Sequence, residues 1–599
     1  MKFFKIFLAT LLAMVVGSVI SWVLCLVIFV GMAGSMGNTT QATITPQTIV
    51  KIDFAENISD APTKNPMAGF DYATMSVAKS TNLLKVLQSI ESAKNDVRVK
   101  GLYLNFTGSG TVSSGAMEEI RAAIADFKQS GKFVVAYNEV YSQAYYYLAS
   151  VADKVYVHPH GAFDWKGLAF PTLFMKGALD KLGLKAEVFR PTVCKYKSAV
   201  EPYIRKNMSP ENRAQMQMIT DDMWGVLVEA IAESRGLDAK SLKALADKLA
   251  VTQPEDALKH NFVDGLIYED EMDTKFAEYG VEKGVDGKYN IISLGDYMAL
   301  APVLPKFGAP AVGVIYAEGS VLDGAGDDDN VYSVNVCENL RKAREDKSIK
   351  AVVFRVNSPG GSALASDVIW REVELLRKEK PVIVSMGSYA ASGGYYISSS
   401  ADAIIADKLT ITGSIGVFGM LLEGENALKE KLGITSDVTK SGSSADLGAG
   451  IMGIGIRKFT DAERKVFIRT VDKVYETFTT RVSEGRNLPM ATVLEISQGR
   501  VWSGARAVSL GLADANGGLR EAIAVAVDKA GIADNFRVIE VLEDLSPVAQ
   551  MMQALNVKAK SYLFDAETLE AVEYYNSLKR VVAREGVQAY CPYTFSLGY

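Results

Sequence analysis

Short apolar runs alternate with longer amphipathic segments along most of the chain. Runs of mostly β-branched residues, such as AVVFRV at 351–356, are followed by segments such as SDVIWREVELLRKEK at 366–380, in which apolar residues recur every three or four positions. The first pattern predicts strands that are buried on both faces, and the second predicts amphipathic helices. Strands that alternate with helices are typical of a mainly parallel sheet covered by helices, so we expect an α/β fold.

This pattern occurs twice, with the two copies about 250 residues apart. The clearest match is between KFVVAYNEVYSQAYYYLAS at 132–150 and PVIVSMGSYAASGGYYISS at 381–399. A repeat of this length predicts two domains with one architecture. We therefore expect tandem duplicated βαβ domains, an N-terminal repeat over 49–300 and a C-terminal repeat over 301–545.

The N-terminus differs from this body. No charged residue occurs from Ile6 to Met36, and this stretch exceeds the roughly 20 apolar residues that a membrane-spanning helix needs. A cleaved signal peptide is the alternative, although its apolar region is usually shorter. Lys2 and Lys5 precede the stretch, which predicts that the N-terminal tail is cytoplasmic and that the body lies on the other side of the membrane.

The remaining segments follow from these boundaries. We predict a cytoplasmic tail over 1–5, a transmembrane anchor over 6–36, a linker over 37–48 and a helical C-terminal tail over 546–599.

Composition and charge exclude several classes of function. The net charge of -6 and the lack of a dense Lys/Arg run give no reason to expect nucleic acid as a partner. The four cysteines have no C-x-x-C spacing, and the chain has only three histidines. These counts indicate neither a zinc site nor a disulfide framework and leave few candidates for a Ser-His-Asp triad, and we expect no metal or cofactor.

The two repeats differ at one strand-to-helix turn. In the match of 132–150 with 381–399, the C-terminal repeat has Ser392, Gly393 and Gly394 where the N-terminal repeat has Gln143, Ala144 and Tyr145. A serine at such a turn exposes its hydroxyl, and the N–H of the following residue can stabilise an oxyanion. The same serine is equally consistent with a helix N-cap.

A glycine pair follows the preceding strand of the C-terminal repeat and has no counterpart in the other repeat. Gly360 and Gly361 lie just before a predicted helix, so their N–H groups could bind an oxyanion. A tight turn that requires a positive φ is the simpler explanation.

A serine hydroxyl needs a base to take its proton, and lysine is the residue type to consider where histidine is scarce. Lys195 and Lys197 lie in a loop-like stretch of the N-terminal repeat, whereas the corresponding stretch of the C-terminal repeat has small residues and Asp446. One repeat thus has the serine and the other has the lysine, which suggests one composite site. For any single lysine, a solvated surface charge remains the simpler explanation.

Four motifs together resemble the signal peptide peptidase A family, also called protease IV, in its long, two-repeat, membrane-anchored form. They are KYKSAVEP at 195–202, NSPGG at 357–361, AASGGYYI at 390–397 and TGSIGV at 412–417. The resemblance implies the fold of the Clp protease and crotonase superfamily and a serine endopeptidase that degrades cleaved signal peptides. It also implies a homotetramer, and a bacterial inner membrane location with the catalytic body in the periplasm.

Carried over residue by residue, the resemblance implies that Ser392 is the nucleophile and Lys197 the general base. Gly361 and Gly393 match the backbone donors to the oxyanion, and Ser414 matches a serine that orients the lysine. A neutral Lys197 requires its pKa to fall by roughly 3 units from about 10.4, so we expect burial of the amine and no carboxylate beside it.

Two other functions are consistent with the same fold. A crotonase-like acyl-CoA enzyme would use similar oxyanion geometry, but the apolar N-terminal stretch opposes it. A membrane-anchored oligomeric scaffold without catalysis is opposed by the presence of both Ser392 and Lys197. Apolar segments at 168–177 and 416–424 could bind peptide side chains or could form core and subunit contacts.

Overall fold

The computed structural model describes residues 43–62, 70–71, 76–77, 80–108, 110–302, 308–326, 330–451, 454–542 and 587–591. The predicted cytoplasmic tail, transmembrane anchor and most of the linker lie outside these residues, as does most of the predicted C-terminal tail. Within the described ranges, no helix combines the length and apolar character that a membrane crossing needs.

The N-terminal half contains a parallel sheet of six strands. The spatial order is β5-β4-β3-β2-β1-β6, and the central strands are almost wholly buried because helices cover both faces of the sheet. In chain order the strands are β1 (Thr48–Ile52), β2 (Val99–Leu104), β3 (Phe133–Tyr141), β4 (Lys154–Phe163), β5 (Gly265–Leu266) and β6 (Ile291–Ser293).

The C-terminal half contains an eight-stranded sheet with the same plan. Six of its strands pair in the order β12-β11-β9-β8-β7-β14. The other two extend from β9, because β10 pairs with β9 and β13 pairs with β10. Only the β11–β12 pair is antiparallel. In chain order the strands are β7 (Ala311–Glu318), β8 (Ile349–Ser358), β9 (Val382–Ala391), β10 (Ala403–Ala406), β11 (Ile411–Gly413), β12 (Val501–Ser503), β13 (Ala515–Asn516) and β14 (Arg537–Glu540).

Short strands form the remaining pairings of the described residues. They are Asn57–Ser59, Phe70–Asp71, Ser76–Val77, Ser80–Asn82, Lys185–Phe189, Val321–Leu322, Val331–Tyr332, Gly360–Ser362, Gly419–Glu423, Gly450–Ile451, Ile454–Gly455 and Gln588–Tyr590.

Helices alternate with the main strands in both halves. In the N-terminal half they are α1 (Leu83–Asn95), α2 (Ser114–Lys128), α3 (Gln143–Ala149), α4 (Lys176–Leu182), α5 (Glu201–Ile204), α6 (Pro210–Arg235), α7 (Ala239–Asp247), α8 (Pro254–Lys259), α9 (Met272–Glu278) and α10 (Leu294–Leu300). In the C-terminal half they are α11 (Ser333–Glu345), α12 (Ala363–Arg377), α13 (Gly393–Ser398), α14 (Asp461–Arg486), α15 (Met490–Ile496), α16 (Gly504–Ser509) and α17 (Leu519–Ala530).

One matched hydrogen bond fixes the correspondence between the halves. The hydroxyl of Tyr146 in α3 donates to the carbonyl of Phe262 at 2.7 Å, and the hydroxyl of Tyr395 in α13 donates to the carbonyl of Leu512 at 2.9 Å. These tyrosines are paired in the sequence match, so the same register places Gln143 opposite Ser392. The predicted mixed α/β fold is confirmed.

The two halves are joined through strand pairing and buried charge. Lys185–Phe189 of the N-terminal half pairs antiparallel with Gly419–Glu423 of the C-terminal half. Arg355, within β8, contacts Asp60 at 2.6 Å and Glu119 at 2.7 Å, and all three side chains are buried. Removal of one partner from such a buried cluster leaves an uncompensated charge, so these contacts hold the halves in one arrangement.

The described part of the C-terminal tail differs from its prediction. The prediction of a helix is wrong at Gln588–Tyr590, which form a strand that pairs antiparallel with Gly360–Ser362. The sequence QAY carries no periodicity that distinguishes the two structures, because a three-residue strand is specified by its partner strand.

Candidate active site

Ser392 and Lys197 lie in direct contact, although 195 positions separate them in the chain. The Nζ atom of Lys197 lies 2.6 Å from the Oγ atom of Ser392, which is hydrogen-bond distance. Ser392 is 0% exposed and Lys197 is 1% exposed. The composite site that the two sequence repeats suggest is thus brought together by the fold.

Ser392 occupies a strained turn between β9 and α13. Its φ of 56° is in the left-handed region, which a residue with a Cβ adopts only at a cost of about 1–3 kcal/mol. The N–H of Ser392 donates to the carbonyl of Gly413 at 2.8 Å, which holds the turn. The side chain makes no N-cap hydrogen bond to α13, so the helix-cap explanation does not fit this serine.

Lys197 lies on a segment that extends from the N-terminal half onto the C-terminal half. Its carbonyl accepts from Arg190 Nη1 at 2.9 Å, and the N–H of the preceding Tyr196 donates to the carbonyl of Gln498 at 3.1 Å. Gly499 packs against the lysine, because a Cβ there would lie 2.5 Å from the Cβ of Lys197. Sequence reasoning missed Gly499, since its partner lies in the other repeat.

Ser414 lies on the opposite side of the lysine amine. Its Oγ atom and its carbonyl oxygen each accept a hydrogen bond from Lys197 Nζ at 3.0 Å. Ser414 also has a positive φ, 51°, and its N–H donates to the carbonyl of Arg500 at 2.7 Å. Three serine oxygens therefore surround the amine, which fixes its direction toward Ser392.

Burial lowers the pKa of Lys197 from 10.5 to about 7, because the charged ammonium loses its hydration. The nearby thiols of Cys591 and Cys194 act in the opposite direction. Among the described residues, no carboxylate contacts this amine by hydrogen bond or ion pair. The shift corresponds to about 5 kcal/mol against the charged form, so a large fraction of the lysine is neutral near pH 7.

The two glycines of the expected oxyanion site lie side by side. A Cβ built on Gly393 would lie 3.0 Å from the amide nitrogen of Gly361 and 2.7 Å from Ser366 Oγ. A Cβ on Gly361 would clash with the carbonyl of Val321. Gly360 has a φ of 95°, so the turn explanation applies to this residue, while the close approach explains Gly361.

The corresponding turn of the N-terminal half holds no nucleophile. Ser142 is a conventional N-cap there, with a φ of -70° and a side chain that accepts from Tyr145 N. Gln143 is buried, and its Oε1 atom accepts from the N–H groups of Lys166 and Gly167 at 2.9 and 2.8 Å. The amide side chain fills this turn and leaves no free hydroxyl.

Other candidates from the sequence lie apart from the dyad or are inert. Asp446 is 7% exposed and pairs with Arg457 at 2.7 Å within the C-terminal half. Burial raises the pKa of Cys194 to about 11, so this thiol is neutral beside Lys197. Within the described ranges, no cluster of three His, Cys, Asp or Glu side chains is arranged to hold a metal ion.

A family model and several curated relatives match this chain and point to one family. The model of peptidase family S49 matches residues 126–282 and 374–533. "Protease 4" of Haemophilus influenzae is 38% identical over 481 residues, which cover 78% of this chain and 76% of that protein. "Protease 4" of Salmonella typhi is 34% identical over 84% of this chain and 81% of its own length. "Serine protease SPPA, chloroplastic" of Arabidopsis thaliana is 32% identical over 85% and 74%.

Proposed function

The chain belongs to peptidase family S49 and is a serine peptidase, and we propose that it is an endopeptidase that uses Ser392 and Lys197 as a catalytic dyad. The observation that carries the proposal is the 2.6 Å contact between the two side chains, with the amine fully buried. A buried lysine with a lowered pKa is the type of base that a serine nucleophile needs.

The reaction follows from the positions of the atoms. Neutral Lys197 takes the hydroxyl proton of Ser392 as the oxygen attacks the carbonyl carbon of a peptide bond. The N–H groups of Gly361 and Gly393 stabilise the oxyanion, and Ser414 keeps the amine directed toward the nucleophile. Lys197 then protonates the leaving amine, and water activated by the same lysine releases the acyl group.

The proposed substrates are unfolded apolar peptides, with cleaved signal peptides as the physiological class. An apolar cluster of Ala199, Val200 and Phe418 adjoins the dyad and is drawn from both halves. Leu173, in the predicted apolar segment 168–177, is 83% exposed and is available for a further side-chain contact. The segment 416–424 is mostly buried and pairs with the other half, which favours its role as a core contact.

We further propose that each half is a domain of the Clp protease and crotonase type and that the chain acts as a homotetramer. In this proposal residues 6–36 anchor it in the inner membrane of a bacterium, with the catalytic body in the periplasm. The charge pattern of the N-terminus supports this orientation. The accessibility of the body to protease added to spheroplasts tests the orientation. Light scattering of the detergent-solubilised chain tests the assembly.

Labelling and hydrolysis together test the dyad. The purified wild-type chain should react with a fluorophosphonate probe at Ser392 and should cut an internally quenched apolar peptide within its sequence. The Ser392→Ala and Lys197→Ala proteins should do neither, while their thermal unfolding stays cooperative. Appreciable hydrolysis by a purified Ser392→Ala protein would overturn the proposed mechanism.

A further inference from the structure

A segment near the C-terminus lies in the active site as an extended strand. Gln588–Tyr590 pairs antiparallel with Gly360–Ser362, and the ladder continues on both sides. The N–H of Ala363 donates to the carbonyl of Val587 at 3.1 Å, and the N–H of Cys591 donates to the carbonyl of Pro359 at 2.6 Å. Addition of a strand to an open edge is a common way in which proteins bind extended peptides.

The other edge of this segment is also paired. The N–H of Phe418 donates to the carbonyl of Gln588 at 3.0 Å, and the N–H of Gln588 donates to the carbonyl of Phe418 at 2.7 Å. The segment is therefore held between two strands of the C-terminal half. One strand carries the oxyanion glycine Gly361, and the other follows Ser414 closely in the chain.

The register places the carbonyl of Ala589 at the oxyanion site. Ala589 is the partner of Gly361 in the antiparallel ladder. Its carbonyl oxygen lies 3.0 Å from the position that a Cβ on Gly393 would take, and the amide nitrogen of Gly361 lies at the same distance from that position. The carbonyl oxygen of Ala589 thus adjoins both residues whose N–H groups stabilise the oxyanion.

The residues around this carbonyl are packed against both halves of the molecule. Ala589 is 0% exposed, packed within the core of the C-terminal half. Tyr590 packs against the cluster that contains Val200 and Phe418. Cys591 is 1% exposed, and its N–H is held by the carbonyl of Pro359. The Ala589–Tyr590 bond is therefore the bond whose carbonyl adjoins the two oxyanion glycines.

We propose that the chain cleaves its own peptide bond between Ala589 and Tyr590, a step that rests on the proposed function. Ser392 Oγ attacks the carbonyl carbon of Ala589, and Lys197 takes the hydroxyl proton. The C–N bond to Tyr590 breaks as the lysine returns the proton to the leaving amine. Water then hydrolyses the ester, so the products are a chain that ends in the Ala589 carboxylate and a segment that begins with the Tyr590 amine.

Intact-mass spectrometry of the purified full chain tests this proposal. The wild-type chain should lose the segment that begins at Tyr590, and this segment should be found as a separate peptide with that N-terminus. The Ser392→Ala chain should keep its full mass under the same conditions. An internally quenched apolar peptide, measured on the same samples, reports the proposed function independently.

Two matched variants test the position of the cut. Ala589→Asp places a charge at a fully buried site and should slow release of the segment by about tenfold or more. Ala491→Asp makes the same change at an exposed position in the first turn of α15, and release should stay at the wild-type rate. Equal rates for Ala589→Asp and Ala491→Asp would place the cut elsewhere and would overturn the assignment.

The reporter peptide distinguishes failure of self-cleavage from failure of the proposed peptidase function. A wild-type chain that hydrolyses the reporter peptide but keeps its full mass overturns self-cleavage and leaves the proposed function intact. A wild-type chain that does neither overturns both. A Ser392→Ala chain that is shortened at the wild-type rate overturns self-cleavage by the dyad.

Discussion

The two halves contain the same strand-to-helix turn with different backbone and different chemistry. In the N-terminal half, Ser142 has a relaxed φ of -70° and caps α3, while Gln143 is buried and hydrogen-bonded to the loop at Lys166 and Gly167. In the C-terminal half, Ser392 has a φ of 56° and leaves α13 without a side-chain cap. A stabilising interaction is thus replaced by strain at the turn that carries the proposed nucleophile.

The proposed chemistry depends on both halves together. The turn of the N-terminal half is closed by its own hydrogen bonds, whereas the segment around Lys197 brings the proposed base to Ser392 in the other half. Neither half contains both groups. The differences between the repeats, more than their common fold, therefore locate the site.

Substitution of the corresponding residues Ser392 and Gln143 should distinguish the two turns most strongly. Ser392→Ala should lower kcat/KM on an apolar reporter peptide by about 10⁴-fold or more, because the nucleophile is lost. Gln143→Ala, at the corresponding position, should lower it by less than about tenfold, because only local hydrogen bonds are lost. Steady-state kinetics with circular dichroism melts checks both. Similar losses in the two variants would remove the functional distinction between the turns.

Adjacent lysines test whether the base is specific. Lys197→Met should lower kcat/KM by about 10³-fold or more, since Ser392 loses its proton acceptor. Lys195→Met removes an exposed charge two residues away and should leave kcat/KM within about threefold of wild type. The same peptide assay measures both variants. Comparable activity of Lys197→Met and Lys195→Met would rule out Lys197 as the base.

The pKa of Lys197 predicts a pH dependence for the composite site. The base acts only when neutral, and burial places its pKa at about 7. The neutral fraction therefore rises with pH through this value, and kcat/KM should fall by about tenfold per pH unit well below pH 7. A pH–rate profile with a pKa near that of a free lysine would show that the amine is solvated during the reaction.

Two separate glycines with the same φ test whether close packing against Lys197 matters for activity. Gly499 and Gly448 both have a φ of 79°, but only Gly499 packs against Lys197, whereas space around Gly448 is open. The positive φ alone should make alanine cost about 1–2 kcal/mol of stability at either position, and the clash with Lys197 should add to this cost at Gly499. Gly499→Ala should in addition lower kcat by about tenfold, because its Cβ displaces the lysine. Equal activity of the two variants in the peptide assay would contradict this packing role.

Much of the architecture can be predicted from the sequence because its signals are local. Apolar runs, amphipathic periodicity and the caps at Ser209 and Thr460 specify the strands and the long helices α6 and α14. Ser392 and Lys197 can be paired because each repeat lacks what the other has. Both inferences need only comparison within the chain.

The features that could not be predicted depend on distant partners. The role of Gly499 arises from contact with a lysine in the other half, and a lone glycine gives no sign of it. The strand at Gln588–Tyr590 exists because Gly360–Ser362 and Phe418 present free edges. The turn at Ser392 is likewise held by a hydrogen bond from its N–H to the carbonyl of Gly413 in another strand.

The antiparallel pairing of Lys185–Phe189 with Gly419–Glu423 has a consequence for biosynthesis. The ribosome makes the lysine segment long before the strand that receives it, so an incomplete chain holds a base without a nucleophile. In the proposed mechanism, Ser392 and Lys197 can meet only after both halves are folded and this pairing has formed. We therefore expect such a peptidase to be inactive during its own synthesis, when its unfolded segments would be the nearest substrates.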